Sequence, residues 1–413
     1  MQHGPSMIAM LIVFFIFLGI TWLGGRILAK WHQAYAAKKV QSAYWLVTVL
    51  SVGILIFSRW LRPSDGFPGE WFRYFIYAAY IWLTGLVFML VILLAGYVLR
   101  LLASKLTQLW TGRGTMGQKE EQREQTEKKT AEGLTRRQFL QGSLAAVPAM
   151  PFVFSGYGVI GGDNTIVVNK YNLAFPQLPV ELNGFTIAQI SDTHIGSFFG
   201  MDKLDQVLAM VKQEQPQLLA VTGDLIDDLE LLEPTITRLT AFQAELPHGI
   251  FYCWGNHEYF RDINRIRTAL YRSPIAVLEN SHKEVISGLY LAGVDYPWGK
   301  DKAELAAKRQ NYFSQALKGI PNDAFTVLLT HHPDFFDNAF EAGVPLSIAG
   351  HTHGGQVVIG GTSLLPVKYK YMKGMYTHNN CRGYVSAGTG HWLPLRIGCP
   401  AEVSFFTLKR GLL

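Results

Sequence analysis

The sequence predicts an α/β domain preceded by an all-α transmembrane region of three to four helices. Long uncharged stretches fill the first 100 residues, whereas from about Glu181 short apolar runs alternate with segments of helical spacing. Hydrophobic residues make up 49% of the 413-residue chain and charged residues only 16%, below the roughly one quarter that is usual in soluble domains. Composition and pattern together therefore favour a membrane-anchored α/β protein.

Three stretches lack Asp, Glu, Lys and Arg: residues 1–25, 40–58 and 74–99. Each is about as long as the 20 or so apolar residues that cross a bilayer. We assign spans to residues 7–25, 40–58 and 74–99, within a transmembrane region of residues 1–110. These spans contain no acidic residue or histidine, so they are expected to form an anchor or a partner surface, not a transport path.

The distribution of lysine and arginine predicts the orientation of these spans. The loop after the first span carries Arg26, Lys30, Lys38 and Lys39 and no acid, and such basic loops stay on the cytoplasmic side. The N-terminus is then expected outside the cell membrane, and the chain from Arg100 onward inside. Residues 111–137 are polar and charged and are interpreted as a linker.

A short basic motif precedes a fourth uncharged segment. The residues "TRRQFL", which include Arg136 and Arg137, resemble the twin-arginine export signal, and the segment 138–162 that follows has the character of such a signal or of a fourth span. Export would place the rest of the chain outside the cytoplasm. The alternatives are an ordinary cytoplasmic anchor, or a surface segment broken by Pro148 and Pro151. Residues 163–180 are interpreted as a connector to the domain 181–413.

Five predicted strands of that domain end in polar side chains. The strands are "FTIAQIS", "QLLAVTG", "GIFYCWG", "FTVLLT" and "PLSIAG". The side chains that follow them are Asp192 and His194, Asp224, Asn256 and His257, His331 and His332, and His351 and His353. Because ligands of α/β sheets collect at the carboxyl ends of strands, we expect these side chains to converge.

The residue types at these positions predict a metal site. Carboxylates, imidazoles and an amide suit divalent ions of hard to borderline character, and the absence of cysteine from the motifs argues against a structural zinc. The number of ligands suffices for two ions bridged by a carboxylate, an arrangement that recurs in phosphate-ester hydrolases.

The series "DTHIG…GDLID…GNHE…THHPD…GHTHGGQ" resembles the calcineurin-like metallophosphoesterases over about residues 181–410. The ending "YVSAGTGHWLPLRIGCPAEVSFFTL" is similar to a bacterial membrane-associated subgroup related to twin-arginine-exported phosphodiesterases and UDP-2,3-diacylglucosamine hydrolases, although Ala401 stands where that subgroup often has proline. The resemblance implies a two-sheet sandwich flanked by helices. It also implies two divalent ions, with Mn²⁺ expected and Fe, Zn and Mg as alternatives.

The resemblance further implies a role for each motif residue. The first metal would be held by Asp192, His194 and His353, and the second by Asn256, His331 and His351, with Asp224 bridging them. His257 would be the general acid, and Asn256 would act in catalysis as well as in metal binding. The implied reaction is the hydrolysis of a phosphodiester or diphosphate by in-line attack of a metal-bridging hydroxide.

The expected protein is a multi-pass enzyme of the bacterial inner membrane that acts on a lipid-linked or envelope substrate, with its catalytic domain outside the cytoplasm. Membrane lipids and the twin-arginine export machinery are its expected partners, and nucleic acid is not. One alternative is a cytoplasm-facing UDP-2,3-diacylglucosamine pyrophosphatase of lipid A synthesis. Another is a membrane scaffold or sensor that binds metal without turnover.

Two further features leave alternatives open. The basic residues after the last motif could contact an anionic lipid surface or could simply be solvated. They are Lys368, Lys370, Lys373, Arg382 and Arg396. Cys381 and Cys399 would form a disulfide bridge in an exported domain, or remain buried thiols.

Overall fold

The structure, a computed structural model, describes residues 7–58, 71–111, 146–364 and 369–411. The chain divides into two compact units, and the boundary between them in the sequence falls between Tyr157 and Gly158. The predicted linker 111–137 and the twin-arginine motif lie almost entirely outside the described residues, so both remain predictions.

The N-terminal unit is helical. Its α-helices are α1 (Met7–Trp31), α2 (Gln33–Ala36), α3 (Lys38–Ser58), α4 (Phe72–Thr111) and α5 (Met150–Gly156), the last preceded by a 3-10 turn at Val147–Ala149. Among the described residues, three helices are long and apolar enough to cross a membrane, at Leu11–Trp31, Lys38–Ser58 and Phe72–Thr107. The prediction of apolar helices before an α/β domain is therefore confirmed.

Polar side chains join these helices inside the N-terminal unit. The indole Nε1 of Trp82 donates a hydrogen bond to Oγ1 of Thr48 at 2.9 Å, and the hydroxyl of Ser155 donates to the carbonyl of Ile81 at 3.0 Å. The ring of Phe152 packs 4.9 Å from that of Trp82. In a membrane, lipid tails are as apolar as the helix surfaces, so the hydrophobic effect does not drive helices together. Hydrogen bonds of this kind then stabilise the packing of one helix against another.

The C-terminal unit is built from two six-stranded sheets and one two-stranded sheet. The strands are β1 (Ile166–Phe175), β2 (Thr186–Ile190), β3 (Leu218–Thr222), β4 (Ile250–Cys253), β5 (Ala276–Val277), β6 (Ser281–Ile286), β7 (Leu289–Gly293), β8 (Phe325–Leu329), β9 (Leu346–Ala349), β10 (Val358–Ile359), β11 (Thr362–Ser363), β12 (Gly374–His378), β13 (Cys381–Val385) and β14 (Ala401–Arg410). The sheet orders are β1-β14-β2-β3-β4-β5 and β12-β13-β9-β8-β7-β6, with β10 pairing β11.

The described part of this unit contains seven α-helices. They are α6 (Gly162–Asn164), α7 (Met201–Glu214), α8 (Leu232–Gln243), α9 (His257–Phe260), α10 (Ile263–Arg272), α11 (Lys302–Leu317) and α12 (Phe335–Glu341). A π-helical turn at Tyr157–Gly161 and 3-10 turns at Val180–Leu182, Leu229–Leu231 and His353–Gly355 complete the elements.

The main core lies between the two large sheets, because residues of both contribute to one buried cluster. Ile187 of β2 and Leu218 of β3 pack there with Leu291 of β7, Val327 of β8 and Ile348 of β9. Separate clusters join the first sheet to α7, α8 and α10, and the second sheet to α11 and α12. This arrangement confirms the predicted two-sheet sandwich flanked by helices.

The stretch predicted as a connector, residues 163–180, contains β1. That strand pairs in parallel with β14 over ten residues, from Ile166 with Ala401 to Phe175 with Arg410. Leu173 and Phe175 of β1 are buried in the core between the sheets. The α/β fold therefore begins at β1, before the predicted boundary at residue 181, because the last strand of the chain supplies the partner of β1.

Candidate metal centre

The loops at the carboxyl ends of five strands bring the predicted ligands together. Strands β2, β3 and β4 run parallel in the first sheet, and β8 and β9 run parallel in the second. Asp192 and His194 follow β2, Asp224 follows β3, Asn256 follows β4, His331 follows β8, and His351 and His353 follow β9. All seven side chains lie close together at one edge of the sandwich.

A first group of ligand atoms surrounds Nε2 of His194. This atom lies 3.1 Å from Nε2 of His353 and 3.6 Å from Oδ2 of Asp224. Nε2 of His353 in turn lies 3.5 Å from Oδ1 of Asp192. All three residues of the predicted first metal therefore direct a nitrogen or oxygen atom to one point.

A second group surrounds Nε2 of His331. Oδ1 of Asn256 lies 3.1 Å from it, Nδ1 of His351 3.2 Å, and Oδ2 of Asp224 3.2 Å. The backbone fixes the ring, because Nδ1 of His331 donates to the carbonyl of Thr222 at 2.8 Å. The ring of His332 lies 4.9 Å from that of His351, but its Nδ1 accepts a hydrogen bond from the backbone N–H of Asp334 at 3.2 Å.

One oxygen atom, Oδ2 of Asp224, belongs to both groups. The other oxygen of this carboxylate accepts the backbone N–H of His257 at 2.8 Å. Glu258 holds the same loop from below, because its carboxylate accepts the backbone N–H groups of Asp224, Leu225 and Gly255. Glu258 is an acid of the first turn of its helix, and it is also fully buried and locks the loop that carries Asp224.

The donor atoms of the second group fit a divalent cation. Asn256 Oδ1 and Asp224 Oδ2 are hydrogen-bond acceptors. Burial followed by the charge of His331 holds the pKa of His351 well below its usual range, so its imidazole is neutral, and Nδ1 offers a lone pair in the tautomer that carries the proton on Nε2. These acceptors all crowd Nε2 of His331. A proton on His331 satisfies one of them at a time, whereas an ion at their centre would satisfy all.

Electrostatics within the site favour positive charge. Burial opposes a charged imidazole, but Asp224 and Asp192 outweigh it and raise the pKa of His331 to about 10. Burial likewise opposes ionisation of Asp224, yet His331, His257 and His194 hold the pKa of this carboxyl well below its usual range. The pKa of His353 is lowered by burial and by His194, which leaves its imidazole neutral for binding a metal.

The backbone at the ligands has left-handed conformations. Positive φ angles occur at five of the seven predicted ligand residues, namely Asp192, His194, Asp224, His351 and His353. Each such residue costs on the order of 1–3 kcal/mol, and strain of this kind gathers at functional sites. Gly350 makes the close approach of the loops possible, because a Cβ atom there would overlap Ser191 Oγ and Asp192 Oδ2.

A carboxylate that sequence reasoning missed organises two of the histidines. Asp227 accepts a hydrogen bond from Nδ1 of His257 at 2.9 Å, lies 3.3 Å from Nδ1 of His194, and pairs with Arg261 at 3.1 Å. Burial opposes its ionisation, but His194 and His257 hold its pKa well below the usual range. The signal was present in "GDLID", where a second acid follows Asp224 by three residues.

Three of the described basic residues after the last motif are buried or paired. Arg382 and Arg396 are buried, with 8% and 2% of their surface exposed. Arg396 donates to the carbonyls of Ala387 and Gly390 at 2.8 and 2.6 Å. Lys370 is paired with Asp337, and Lys368 lies outside the described residues. Arg396 therefore braces the loop that carries "GTGHWLP", whereas Arg382 donates to the carbonyls of Asn379 and Cys381, and neither buried arginine is available to a lipid surface.

The three cysteines are buried free thiols, so the structure contains no bridge between Cys381 and Cys399. Sγ of Cys399 lies 3.5 Å from the carbonyl oxygen of His353, so this thiol packs beneath the turn that carries a predicted ligand.

The sequence is similar to two described protein families and to several known proteins. Residues 185–355 match the family described as "Calcineurin-like phosphoesterase", and residues 6–163 match the family described as "Probable Calcineurin-like phosphoesterase, transmembrane domain". The chain is 28% identical over 298 residues to the uncharacterized metallophosphoesterase YkuE of Bacillus subtilis, covering 67% of this chain and 98% of that protein.

Two other relatives are longer than the shared region. An uncharacterized metallophosphoesterase of Helicobacter pylori is 32% identical over 230 residues, which cover 54% of this chain and 59% of that protein. A "Transmembrane protein with metallophosphoesterase domain" of Danio rerio is 27% identical over 298 residues, covering 68% and 65%. Among solved structures, a dimetal phosphatase from Danio rerio aligns with a TM-score of 0.31 and 13% identity, covering 50% of this chain and 88% of that one.

The match of residues 185–355 agrees with the predicted class of enzyme, a metal-dependent phosphoesterase. The membrane region matches a separate family description. Residues 185–355 accordingly match the calcineurin-like phosphoesterase family, and residues 6–163 match the probable transmembrane domain of such phosphoesterases.

Proposed function

We propose that this protein is a membrane-anchored two-metal phosphoesterase that hydrolyses a phosphodiester or diphosphate bond. The observation that carries the proposal is the position of Asp224, whose Oδ2 lies 3.6 Å from Nε2 of His194 and 3.2 Å from Nε2 of His331. A single carboxylate oxygen shared by two groups of ligand atoms is the arrangement that a bridged metal pair requires.

The ligand assignment follows the two groups. Asp192, His194 and His353 would hold one ion, and Asn256, His331 and His351 the other. We propose Mn²⁺, with Fe, Zn and Mg as alternatives. When bound, two such ions lower the pKa of a water molecule and offset the charge of a phosphoryl group.

The protein side chains have separate tasks in the proposed reaction. Asp227 occupies Nδ1 of His257, so Nε2 of that ring is left to protonate the departing oxygen. Because Oδ1 of Asn256 faces His331 and His351, its amide NH₂ group is left to bind a phosphoryl oxygen. Asp192, hydrogen-bonded by Ser191 and by the backbone N–H of His351, positions the loop after β9 against the loop after β2.

The decisive experiment compares substrates with the full-length protein in detergent. After metal removal and reloading with Mn²⁺, the protein would be assayed on bis-p-nitrophenyl phosphate, p-nitrophenyl phosphate and UDP-2,3-diacylglucosamine. We expect hydrolysis of the diester and its loss in Asp224→Ala, with Asp202→Ala, an exposed acid of α7, as the matched control. Hydrolysis that survives in Asp224→Ala would contradict the assignment of the site.

We further propose that residues 138–162 form a fourth crossing that leads the catalytic unit out of the cytoplasm. The transmembrane family description reaches residue 163, and a shorter apolar helix occupies Val147–Gly161. Pro148 and Pro151 fall at the starts of helical segments, where proline is tolerated. An exported catalytic unit would meet lipid-linked or envelope substrates.

A reporter fused after Gly162 tests this orientation. Signal from an extracytoplasmic reporter, lost when Arg136 and Arg137 are both changed to lysine, would support export through the twin-arginine machinery. Signal from a cytoplasmic reporter would place the site inside and favour the UDP-linked lipid precursor as substrate.

A further inference from the structure

Four aromatic rings stand beside the candidate metal centre without contributing to it: Phe260, Tyr296, Trp298 and Tyr369. We define them as the aromatic wall. Phe260 ends α9, Tyr296 and Trp298 follow β7, and Tyr369 follows the β10–β11 hairpin. The wall thus draws on loops from both sheets, at the same edge as the ligands.

Ring contacts connect the wall to both ends of the site. At one end, the ring of Phe260 lies 5.3 Å from that of His257, the proposed acid. Trp298 lies 5.5 Å from Phe260 and 4.8 Å from Tyr296. At the other end, His351 lies 5.5 Å from Tyr296 and 5.1 Å from Tyr369.

Two members of the wall, Tyr296 and Trp298, are supported from behind. The buried carboxylate of Asp295 accepts the hydroxyl of Tyr259 and the backbone N–H of Tyr296, each at 2.7 Å. The ring of Tyr259 lies 5.9 Å from that of Trp298. A ring that is supported in this way loses little conformational entropy when a ligand packs against it.

The front of the wall is open. Phe260 and Trp298 keep 43% and 37% of their surface exposed, although both are large apolar side chains next to a buried polar site. The metal chemistry does not require them. Phe260 lies beside His257, and Trp298 lies beside Phe260, so a group that leaves with the oxygen protonated by His257 would depart next to these rings.

We infer that the aromatic wall is a subsite for a planar aromatic group, such as a nucleobase, on the leaving-group side of the phosphate; this rests on the proposed function and adds a substrate class to it. Flat, rigidly held rings favour planar ligands, which stack without ordering cost, over flexible acyl chains, whose immobilisation costs entropy. Stacking of a base on such a ring changes affinity by about fivefold to a hundredfold.

The test measures how strongly three phosphate monoesters inhibit hydrolysis of bis-p-nitrophenyl phosphate by the full-length Mn²⁺ protein. Adenosine 5′-monophosphate carries a planar group, decyl phosphate an aliphatic chain, and methyl phosphate neither. We expect adenosine monophosphate to bind on the order of tenfold more tightly than methyl phosphate. Trp298→Ala should abolish this preference, and Trp298→Phe should retain part of it.

Controls separate the subsite from folding and from the proposed function. Tyr271→Ala removes an exposed ring of α10 that is not part of the wall and should keep the preference. If the enzyme hydrolyses no diester, calorimetric binding of the same three monoesters still tests the wall. A preference that survives in folded Trp298→Ala would overturn the inference, as would tighter binding of decyl phosphate than of adenosine monophosphate.

Discussion

Nδ1 of His257 and Oδ1 of Asp227 are hydrogen-bonded at 2.9 Å, while the other oxygen of Asp227 lies 3.3 Å from Nδ1 of His194. One carboxylate therefore orients both the proposed acid and a proposed ligand of the first metal. Outer partners of this kind fix the tautomer of an imidazole and raise its basicity.

The Asp227→Asn variant should orient His257 and His194 less well, because an amide has one acceptor oxygen for two imidazoles. We expect metal affinity and kcat/KM to fall by about 10- to 100-fold, measured by metal titration and diester hydrolysis. Asp228→Asn is the matched control, since that side chain caps the turn at Glu230 and should remain within about twofold. Equal behaviour of the two variants would refute the double role of Asp227.

Replacement of His257 by glutamine should separate acid catalysis from metal binding. We expect a loss in kcat of about 10²- to 10⁴-fold with metal content retained, and the loss should grow with the pKa of the leaving alcohol. Substrates with aryl and alkyl leaving groups measure this trend. His248→Gln, which alters a histidine stacked on Phe185 away from the ligands, serves as the control. A loss independent of the leaving group would assign His257 a structural role instead.

Metal binding should release a proton from His331. Its pKa is raised to about 10, so the ring is protonated below that pH, and a metal ion must displace the proton from Nε2. The apparent affinity for Mn²⁺ should therefore rise about tenfold per pH unit between about pH 6 and 8. Calorimetry in buffers of different ionisation enthalpy measures the released proton, and an affinity that does not change with pH would contradict this linkage.

A methyl group at Gly255 should disturb the shared carboxylate. The Cβ of Gly255→Ala would overlap Asp224 Oδ1 and its backbone nitrogen and would lie 2.9 Å from Glu258 Oε2. We expect a loss of metal binding together with destabilisation of roughly 1–3 kcal/mol, measured by metal titration and thermal unfolding. Gly196→Ala is the control, because its Cβ meets atoms at 3.5 Å, an ordinary contact distance. Normal metal binding by Gly255→Ala would show that the loop adjusts freely.

The sequence revealed the parts of the site that are local in the chain. Asp192, Asp224 and His331 each follow a short buried strand, and that pattern can be read within ten residues. The pairing of β1 with β14 could not be read, because its partners are separated by more than half of the chain. The burial of Arg396 was missed for a similar reason, since its neighbours are backbone carbonyls of a loop and no sequence pattern marks them.

The aromatic wall was also hidden from sequence analysis. Tyr296 and Trp298 lie in a loop without a ligand motif, and Tyr369 lies between two lysines in a segment that also lacks one. Only the folded loops bring these rings to the imidazoles of His331 and His351.

The pairing of the first and last strands has a consequence for the biosynthesis of the protein. A ribosome adds on the order of 10 residues per second, so β1 emerges tens of seconds before β14 and cannot complete its sheet until then. Leu173 and Phe175, which the finished core buries, remain without their β14 neighbours during that interval. Closure of the first sheet therefore waits for the synthesis of β14, and any chaperone or export factor that monitors folding would encounter β1 without its partner strand.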